Sequence, residues 1–417
     1  MHPMPSDKPW AIVLAGTIPH IPLIENLKAR GYRVALVDYL ESPPAARLAD
    51  EHSRVSTLAM DDVLALARAR NAELVISACV DRANVTAAYV AERLSLPAPY
   101  GFAMAELVAN KLRMKEELVR LGIPTAAFRV LGSPAEASHL TMSFPVVAKP
   151  IDTGGSKGVR KASKAEELQL AVDEAFKVTR STQILVEEFL QGEEVSADCM
   201  VQDGQPHILV LRKRYVQRGV DGAVLSAYAS VSPAAISAAA KQRIHRVTRE
   251  IARGFGLRTT PLLVQFMVDG DDARVIEFAP RVGGGLNYRF VLLGTGVDII
   301  DATVNAYLGR PTALADHAGR GYLAANHVYA EAGRFGEVRN HEQLLDEGII
   351  AEFYVHKARG APIGASMTSA DRVASFMVRA DSAEELLRRT REAMQRLDVL
   401  DVDGRSIVRR DVCLQAL

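Results

Sequence analysis

The sequence predicts an α/β fold built on a parallel sheet, followed by α+β segments, on three observations. Over the first hundred residues, short continuous apolar runs alternate with amphipathic stretches. From about residue 125 to 280 strand signals with polar interruptions dominate, and helical patterns return near Ala234 to Phe255 and Val297 to Leu308. A mixture of both periods fills 313 to 417. Continuous apolar strands alternating with helices imply a parallel sheet covered on both faces.

The first strand is Ala11-Ile12-Val13-Leu14-Ala15, ending at Gly16-Thr17. A helix from Pro22 to Arg30 is closed by Gly31, and Arg33 to Asp38 is the second strand. A helix from Met60 to Arg70 precedes the strand Leu74 to Ala78. Ligands of parallel sheets bind at the carboxyl ends of strands, and Gly16, Asp38 and Ser77 to Asp81 stand there. Gly16 equally suits a plain tight turn. No GxGxxG follows the first strand, which argues against a dinucleotide site. Residues 106 to 121 read as one helix, stopped by Gly122 with Pro124 beyond. Gly309-Arg310-Pro311 is the best boundary before the last segment.

A chain of 417 residues is too long for one ordinary domain and suggests two or three. With 48% hydrophobic and 24% charged residues it has the composition of a soluble globular protein. Fifty Lys and Arg balance fifty Asp and Glu, so the basic excess of a nucleic-acid binder is missing and no nucleic-acid partner is expected. Cys79, Cys199 and Cys413 are far apart and form no CxxC, so they read as reduced thiols of a cytoplasmic protein. The run Trp10 to Gly16 is too short to span a bilayer and lacks signal-peptide flanks, so no membrane is expected.

Four segments carry chemistry. Phe144 to Pro150 is a strand with Lys149 near its end, followed by Ile151-Asp152-Thr153-Gly154-Gly155-Ser156-Lys157-Gly158. Glycines let backbone N–H groups approach an anion, although the pattern is not a Walker A loop. Lys149 either meets an anion or snorkels to solvent. Ile184 to Leu190 is a strand ending in Glu187 and Glu188, turned by Gln191-Gly192-Glu193-Glu194. Its carboxylates either form a solvated turn or hydrogen-bond an adenosine. Leu262 to Val268 and Ala273 to Phe278 form a hairpin around Asp269-Gly270-Asp271-Asp272. If Asp271 is its centre, Gln265 opposes Glu277 on one face, with Cβ atoms about 4.5–5.5 Å apart. Such a pair holds a divalent ion such as Mg²⁺ together with substrate phosphates, or makes a simple Gln–Glu hydrogen bond. Arg281, beside Gly283-Gly284-Gly285, either grips a carboxylate or phosphate with its planar fork or is a surface arginine in a flexible loop.

The order of these segments resembles the ATP-grasp superfamily: Lys111, then Val147-Ala148-Lys149-Pro150, the glycine loop, Glu187 to Glu194, and Ile276-Glu277-Phe278-Ala279-Pro280-Arg281. The resemblance covers nearly the whole chain and is greatest to carboxylate–amine ligases such as the L-amino acid (dipeptide) ligases. It implies a Rossmann-like domain over 1–105, an ATP-grasp domain over 106–312 and an α+β lid or substrate domain over 313–417. It further implies ATP with Mg²⁺ or Mn²⁺ as cofactors, and a small-molecule carboxylate and amine, of the amino-acid kind, as substrates. Relatives of this kind include homodimers.

Residue by residue, the resemblance gives Lys111 and Lys149 to the ATP phosphates, and Ser156 and Gly158 to the loop that closes over them. Glu187 and the backbone at Phe189 and Leu190 receive adenine. Glu194 binds the ribose, and Gln265 and Glu277 hold the metal. Arg281 stabilises an acyl phosphate, with Lys149 beside it in catalysis. Arg212-Lys213-Arg214 adds positive charge near the phosphates, and His327 and His356 are pocket candidates in the last segment. Two departures stand out: Ala279 replaces the family's asparagine, and Gln265 stands where many members have an acid. The rival readings are a nucleotide-binding protein without catalysis and a carboxylase-like enzyme that activates bicarbonate.

Overall fold

A computed structural model describes residues 8–154, 157–218, 224–314, 321–365 and 368–415. The first sheet is parallel, in the order Glu51–Ser53, Arg33–Val37, Trp10–Leu14, Ala72–Ile76. Alternate side chains leave a strand on opposite faces. Ile12 and Leu14 accordingly pack with the helices Met60–Ala69 and Asp81–Leu94, and Ala11 and Val13 with His20–Ala29 and Ile299–Tyr307. Burial on both faces explains the uninterrupted apolar runs.

The helix expected over 106 to 121 is two helices, Phe102–Ala109 and Lys111–Arg120. Asn110 breaks it: its backbone is extended (φ −102°, ψ 112°), and its side chain accepts from the N–H groups of Leu112 (3.0 Å) and Arg113 (3.2 Å). Apolar periodicity runs through the break, whereas asparagine's preference for capping makes it. Lys111 is thereby set at a helix start rather than in a helix interior.

A four-stranded antiparallel sheet follows, in the order Phe128–Leu131, Ile184–Glu188, Val146–Pro150, Arg160–Ala162, covered by the helix Ala165–Val178. The largest sheet has eight antiparallel strands. Its order is Asp272–Ala279, Thr260–Asp269, Glu193–Gln202, Gln205–Arg218, Val224–Ser232, Tyr322–Val328, Ala374–Ala380, Glu352–Val355. One face packs on the helix Ala238–Gly254 and, further along, on Ala383–Arg396. The other face meets Asn287–Thr295, Ile299–Tyr307 and the first sheet in a single core. Pro362–Ile363, Gly333–Arg339 and Asp398–Asp401 make a three-stranded sheet beside it. The α/β and α+β class read from the sequence is the class found. Among the described residues no single helix is long and apolar enough to cross a membrane.

The hairpin turns on two residues, Gly270 and Asp271, with Asp269 paired to Asp272. That turn alone would shift the register by one. A bulge between Gln265 and Phe266 restores it, and Gln265 stands opposite Glu277 as read from the sequence.

Candidate functional site

A cavity of about 180 Å³ opens where the first sheet, the small antiparallel sheet and the hairpin edge of the large sheet meet. Lys111, Thr153, Gly154, Gln265, Glu277, Ala279, Arg281 and Asp81 line it. The capped helix start presents Lys111, whose backbone N–H donates to Ile151 O at 3.0 Å. Its Nζ donates to Thr153 O at 2.5 Å and lies 3.7 Å from Glu277 Oε2. Arg281 grips Asp81 through Nε and Nη2, at 2.5 and 2.7 Å. Burial pushes the Asp81 carboxyl up, but Arg281 outweighs it and holds it below its ordinary value. Arg281 thus already binds a carboxylate in the two-pronged way that suits carboxylates and phosphates.

Behind the cavity lies a buried charge cluster. Glu187 Oε2 takes Lys149 at 2.7 Å and Lys115 at 3.1 Å, and Lys115 is fully buried. Lys115 also donates to Thr125 Oγ1 (2.8 Å), which donates to Val275 O (2.7 Å). Burial pulls the Lys115 pKa down more than Glu187 raises it. Burial pushes Glu187 up, but Lys115 and then Lys149 hold it below its ordinary value. The other oxygen of Glu187, Oε1, is buried with no partner among the described residues. Sequence reasoning missed Lys115. Its signal was its place on the apolar stripe of its helix with Leu112, Met114 and Leu118, where a lysine needs a buried partner.

The remaining predicted residues are placed as follows. Ser156 lies outside the described residues. Gly158 has φ +74°, and a Cβ there would overlap Val178, so only glycine fits that turn. The Phe189 N–H donates to Pro145 O at 3.0 Å, which commits one of the backbone donors expected to meet adenine. Lys149, Gly158, Glu187, Phe189, Leu190 and Glu194 do not line the cavity. Glu194 pairs with Arg214, whose Nη1 also donates to Gln265 Oε1 at 2.7 Å. Arg212 shares that sheet face and pairs with Asp198 at 2.6 Å, whereas Lys213 pairs with Glu193 at 2.6 Å. His327 and His356 lie further along the large sheet, bridged by Ser375 Oγ at 2.6 and 2.7 Å.

The donor set admits a thin metal site. Glu277 is half-exposed in the cavity beside the Gln265 amide, and the neighbouring Ala279 offers no ligand. Among the described residues no three His, Cys, Asp or Glu side chains converge as a metal group. Magnesium is commonly held by one or two carboxylates with substrate phosphates completing its shell, and Glu277 fits that pattern.

Residues 142–288 match the family described as ATP-grasp domain, and 326–400 match L-amino acid ligase C-terminal domain 2. Phosphoribosylamine–glycine ligase of Chlorobaculum tepidum is 28% identical over 337 residues, covering 75% of this chain and 77% of that protein. D-alanine–D-alanine ligase of Hydrogenovibrio crunogenus is 36% identical over 116 residues, covering 27% of this chain and 36% of that protein. The solved L-amino acid ligase from Bacillus licheniformis superposes with a TM-score of 0.79 at 19% identity, over 95% of this chain and all (100%) of that one. The biotin carboxylase domain of Hydrogenobacter thermophilus 2-oxoglutarate carboxylase, solved with MgADP and bicarbonate, superposes with a TM-score of 0.73 at 19% identity over 95% of this chain and 91% of that one. The central segment thus matches the ATP-grasp domain family, the C-terminal segment matches a domain of L-amino acid ligases, and the fold is shared with the solved L-amino acid ligase over nearly the whole length.

Proposed function

We propose that this protein is an ATP-dependent carboxylate–amine ligase, which activates a carboxylate as an acyl phosphate, joins it to an amine and releases ADP and phosphate. The observation that carries this reading is the single cavity lined by Lys111, the glycine-loop residues Thr153 and Gly154, Glu277 with Gln265, and Arg281. These are the cationic, backbone and carboxylate groups that phosphoryl transfer to a carboxylate requires. The L-amino acid ligase match at the C-terminal segment supports amino acids as the substrates.

In this reading 1–105 and 313–417 close over a nucleotide held by 106–312. Adenine lies against the segment from Glu187 to Leu190, where Glu187 Oε1, with no partner among the described residues, suits the exocyclic amine. Glu194 takes the ribose hydroxyls while it stays paired with Arg214. Lys111 and Lys149 hold phosphate oxygens, and the loop carrying Ser156 and Gly158 shields them from water. Glu277, with Gln265 beside it, would hold a magnesium ion, which would supply positive charge to offset the phosphates.

The substrate carboxylate displaces Asp81 from Arg281. One of its oxygens attacks the γ-phosphorus, the bond to the β-phosphate oxygen breaks, and ADP leaves with that electron pair. Lys111, Lys149 and Arg281 stabilise the charge that develops. The amine nitrogen then attacks the acyl carbon, phosphate leaves with the C–O electron pair, and the amine gives up its proton to solvent.

The test is ADP and phosphate release from ATP and Mg²⁺, with pooled amino acids present and absent. Release that requires the pool, and falls at least about 100-fold in Lys149→Ala, is the expected result. Lys115 still partners Glu187 in that variant, so the fold is kept. A protein that binds ATP tightly but releases no phosphate with any amine and carboxylate would be a nucleotide binder instead.

A further inference from the structure

A second charged cluster, which the phosphoryl chemistry above does not use, lies further along the same face of the eight-stranded sheet. Arg212, Arg214, His327 and Ser375 alternate in step with Val210, Ala325 and Met377, which pack into the core shared with the first sheet. Arg372 joins them from just before the strand Ala374–Ala380.

Charge does not balance here. Arg212 has Asp198 and Arg214 has Glu194. Arg372 has no carboxylate among the described residues: its Nε donates to the Tyr329 hydroxyl at 3.1 Å and its Nη2 to Ala227 O at 2.8 Å. Its Nη1 edge faces Gly285, 3.9 Å from where a Cβ would stand, and His327 Cε1 is 3.8 Å from the same point. Gly284 has open space beside it, and Gly285 has φ +66°, a conformation that glycine adopts without strain. Burial lowers the Arg372 pKa and Arg214 adds to that, against the Tyr329 hydroxyl. A guanidinium held out of bulk water by neutral partners alone is favoured once an anion joins it.

His327 is buried, and burial, followed by Arg372, His356, Arg214 and Arg212, keeps its pKa well below the usual histidine value. It therefore adds a donor but no charge. When Ser375 donates to Nδ1, the neutral ring carries its proton on Nε2. The excess at this point is one guanidinium, which suits a monoanion. The loop from Arg281 to Gly285 spans four residue steps, at most about 14 Å of chain, so an anion at Arg372 lies within reach of a small substrate reacting at Arg281.

We infer that Arg372, with His327 and the backbone at Gly285, forms a second anion subsite that takes the carboxylate of the amine substrate, which is then an amino acid. This assignment rests on the ligase reading for what happens at Arg281, and on Arg372, with neutral partners only among the described residues, for the subsite itself.

The experiment is a thermal-shift titration of the full chain with ADP and Mg²⁺, using each of the common amino acids, its carboxamide, and inorganic phosphate. At least one amino acid should raise the unfolding midpoint, while its carboxamide and phosphate should not at the same concentration. Arg372→Gln should weaken that amino acid about 10- to 100-fold and leave the ADP response unchanged. Arg372→Lys should retain part of the affinity through its charge. If Arg372→Gln also loses the ADP response, Arg372→Lys decides: weakened amino-acid binding with ADP binding intact upholds the subsite, and any other result overturns it. The subsite is also overturned if no amino acid binds, if the carboxamide binds as well as the acid, if phosphate binds through Arg372 instead, or if Arg372→Gln binds like the parent. Amino-acid binding through Arg372 without any ATP turnover in the phosphate-release assay would sink the ligase reading and leave the subsite standing. Turnover with binding indifferent to Arg372 would do the reverse.

Discussion

Lys115 contributes to the site without lining it. Fully buried between Glu187 and Thr125, it ties the helix behind the cavity to the strand Ile184–Glu188 and, through Thr125, to Val275 in the hairpin. It also shares Glu187 with Lys149, so it fixes where the Lys149 ammonium sits. Replacing Lys115 removes one of the two cations on the buried Glu187, leaving Lys149 alone to offset it, and strips Thr125 of its donor. Lys115→Met should therefore cost about 3 kcal/mol in urea unfolding, and a loss well under 1 kcal/mol would mean that the cluster relaxes freely. His20 is a second buried group with a measurable signature. It is fully buried at the start of the helix His20–Ala29, with Nδ1 2.9 Å from Thr17 Oγ1 and Nε2 3.3 Å from the Ala78 nitrogen, and burial lowers its pKa to about 4. Unfolded, it titrates near 6.5. Below that pH the unfolded chain takes a proton that the folded chain refuses, so stability falls as pH drops from about 6.5 to 4. His20 alone accounts for about 3 kcal/mol of that fall. His20→Gln should flatten this part of the pH–stability curve without abolishing it, because His327 and His356 are also held below their ordinary values by burial. An unchanged slope would show that His20 protonates in place.

At the scale of elements, the helix break at Asn110 and the hairpin bulge set the cavity's geometry. Asn110→Ala removes a cap and should cost about 1 kcal/mol of stability. Nucleotide affinity should fall with it, since Lys111 starts the capped helix; weakened stability with unaltered nucleotide binding would separate the two. Ala279→Asn adds an amide oxygen to the cavity wall two residues from Glu277. It should lower the Mg²⁺ concentration needed for half-maximal nucleotide binding several-fold, and an unaltered requirement would mean that position 279 does not face the ion. These elements also show how far the sequence could be read. The pairing of Gln265 with Glu277 was legible because strand alternation and turn residues are local signals, and the bulge offset the one-residue difference in the turn. The strand bearing Lys149 was legible for the same reason. The break at Asn110 was hidden by uninterrupted apolar periodicity. The Arg281–Asp81 pair joins residues 200 positions apart, and no local pattern encodes such a contact.

Over the whole molecule, the first sheet is continuous with the rest. Ala11, Val13 and Leu36 share one core with Met200, Phe290, Tyr307 and Met377. A shared core couples the elements on either side of it in unfolding. Trp10 is the only tryptophan and stands in the first sheet under the Arg33 guanidinium, 4.0 Å from its ring centre. Its fluorescence and the far-ultraviolet circular dichroism should therefore follow one coincident denaturation curve, whereas an earlier Trp10 transition would mean that the first sheet melts alone. In the proposed reaction nucleotide and carboxylate meet where that sheet, the small sheet and the large sheet converge, and carboxylate activation is its central step. The most direct test is to supply amino acids labelled with ¹⁸O in the carboxyl group, together with ATP and Mg²⁺, and to weigh the released phosphate. Transfer of one ¹⁸O into phosphate is the predicted result, because the carboxylate oxygen stays on phosphorus when the acyl phosphate is consumed. Phosphate released with no label, its fourth oxygen drawn from water, would contradict it.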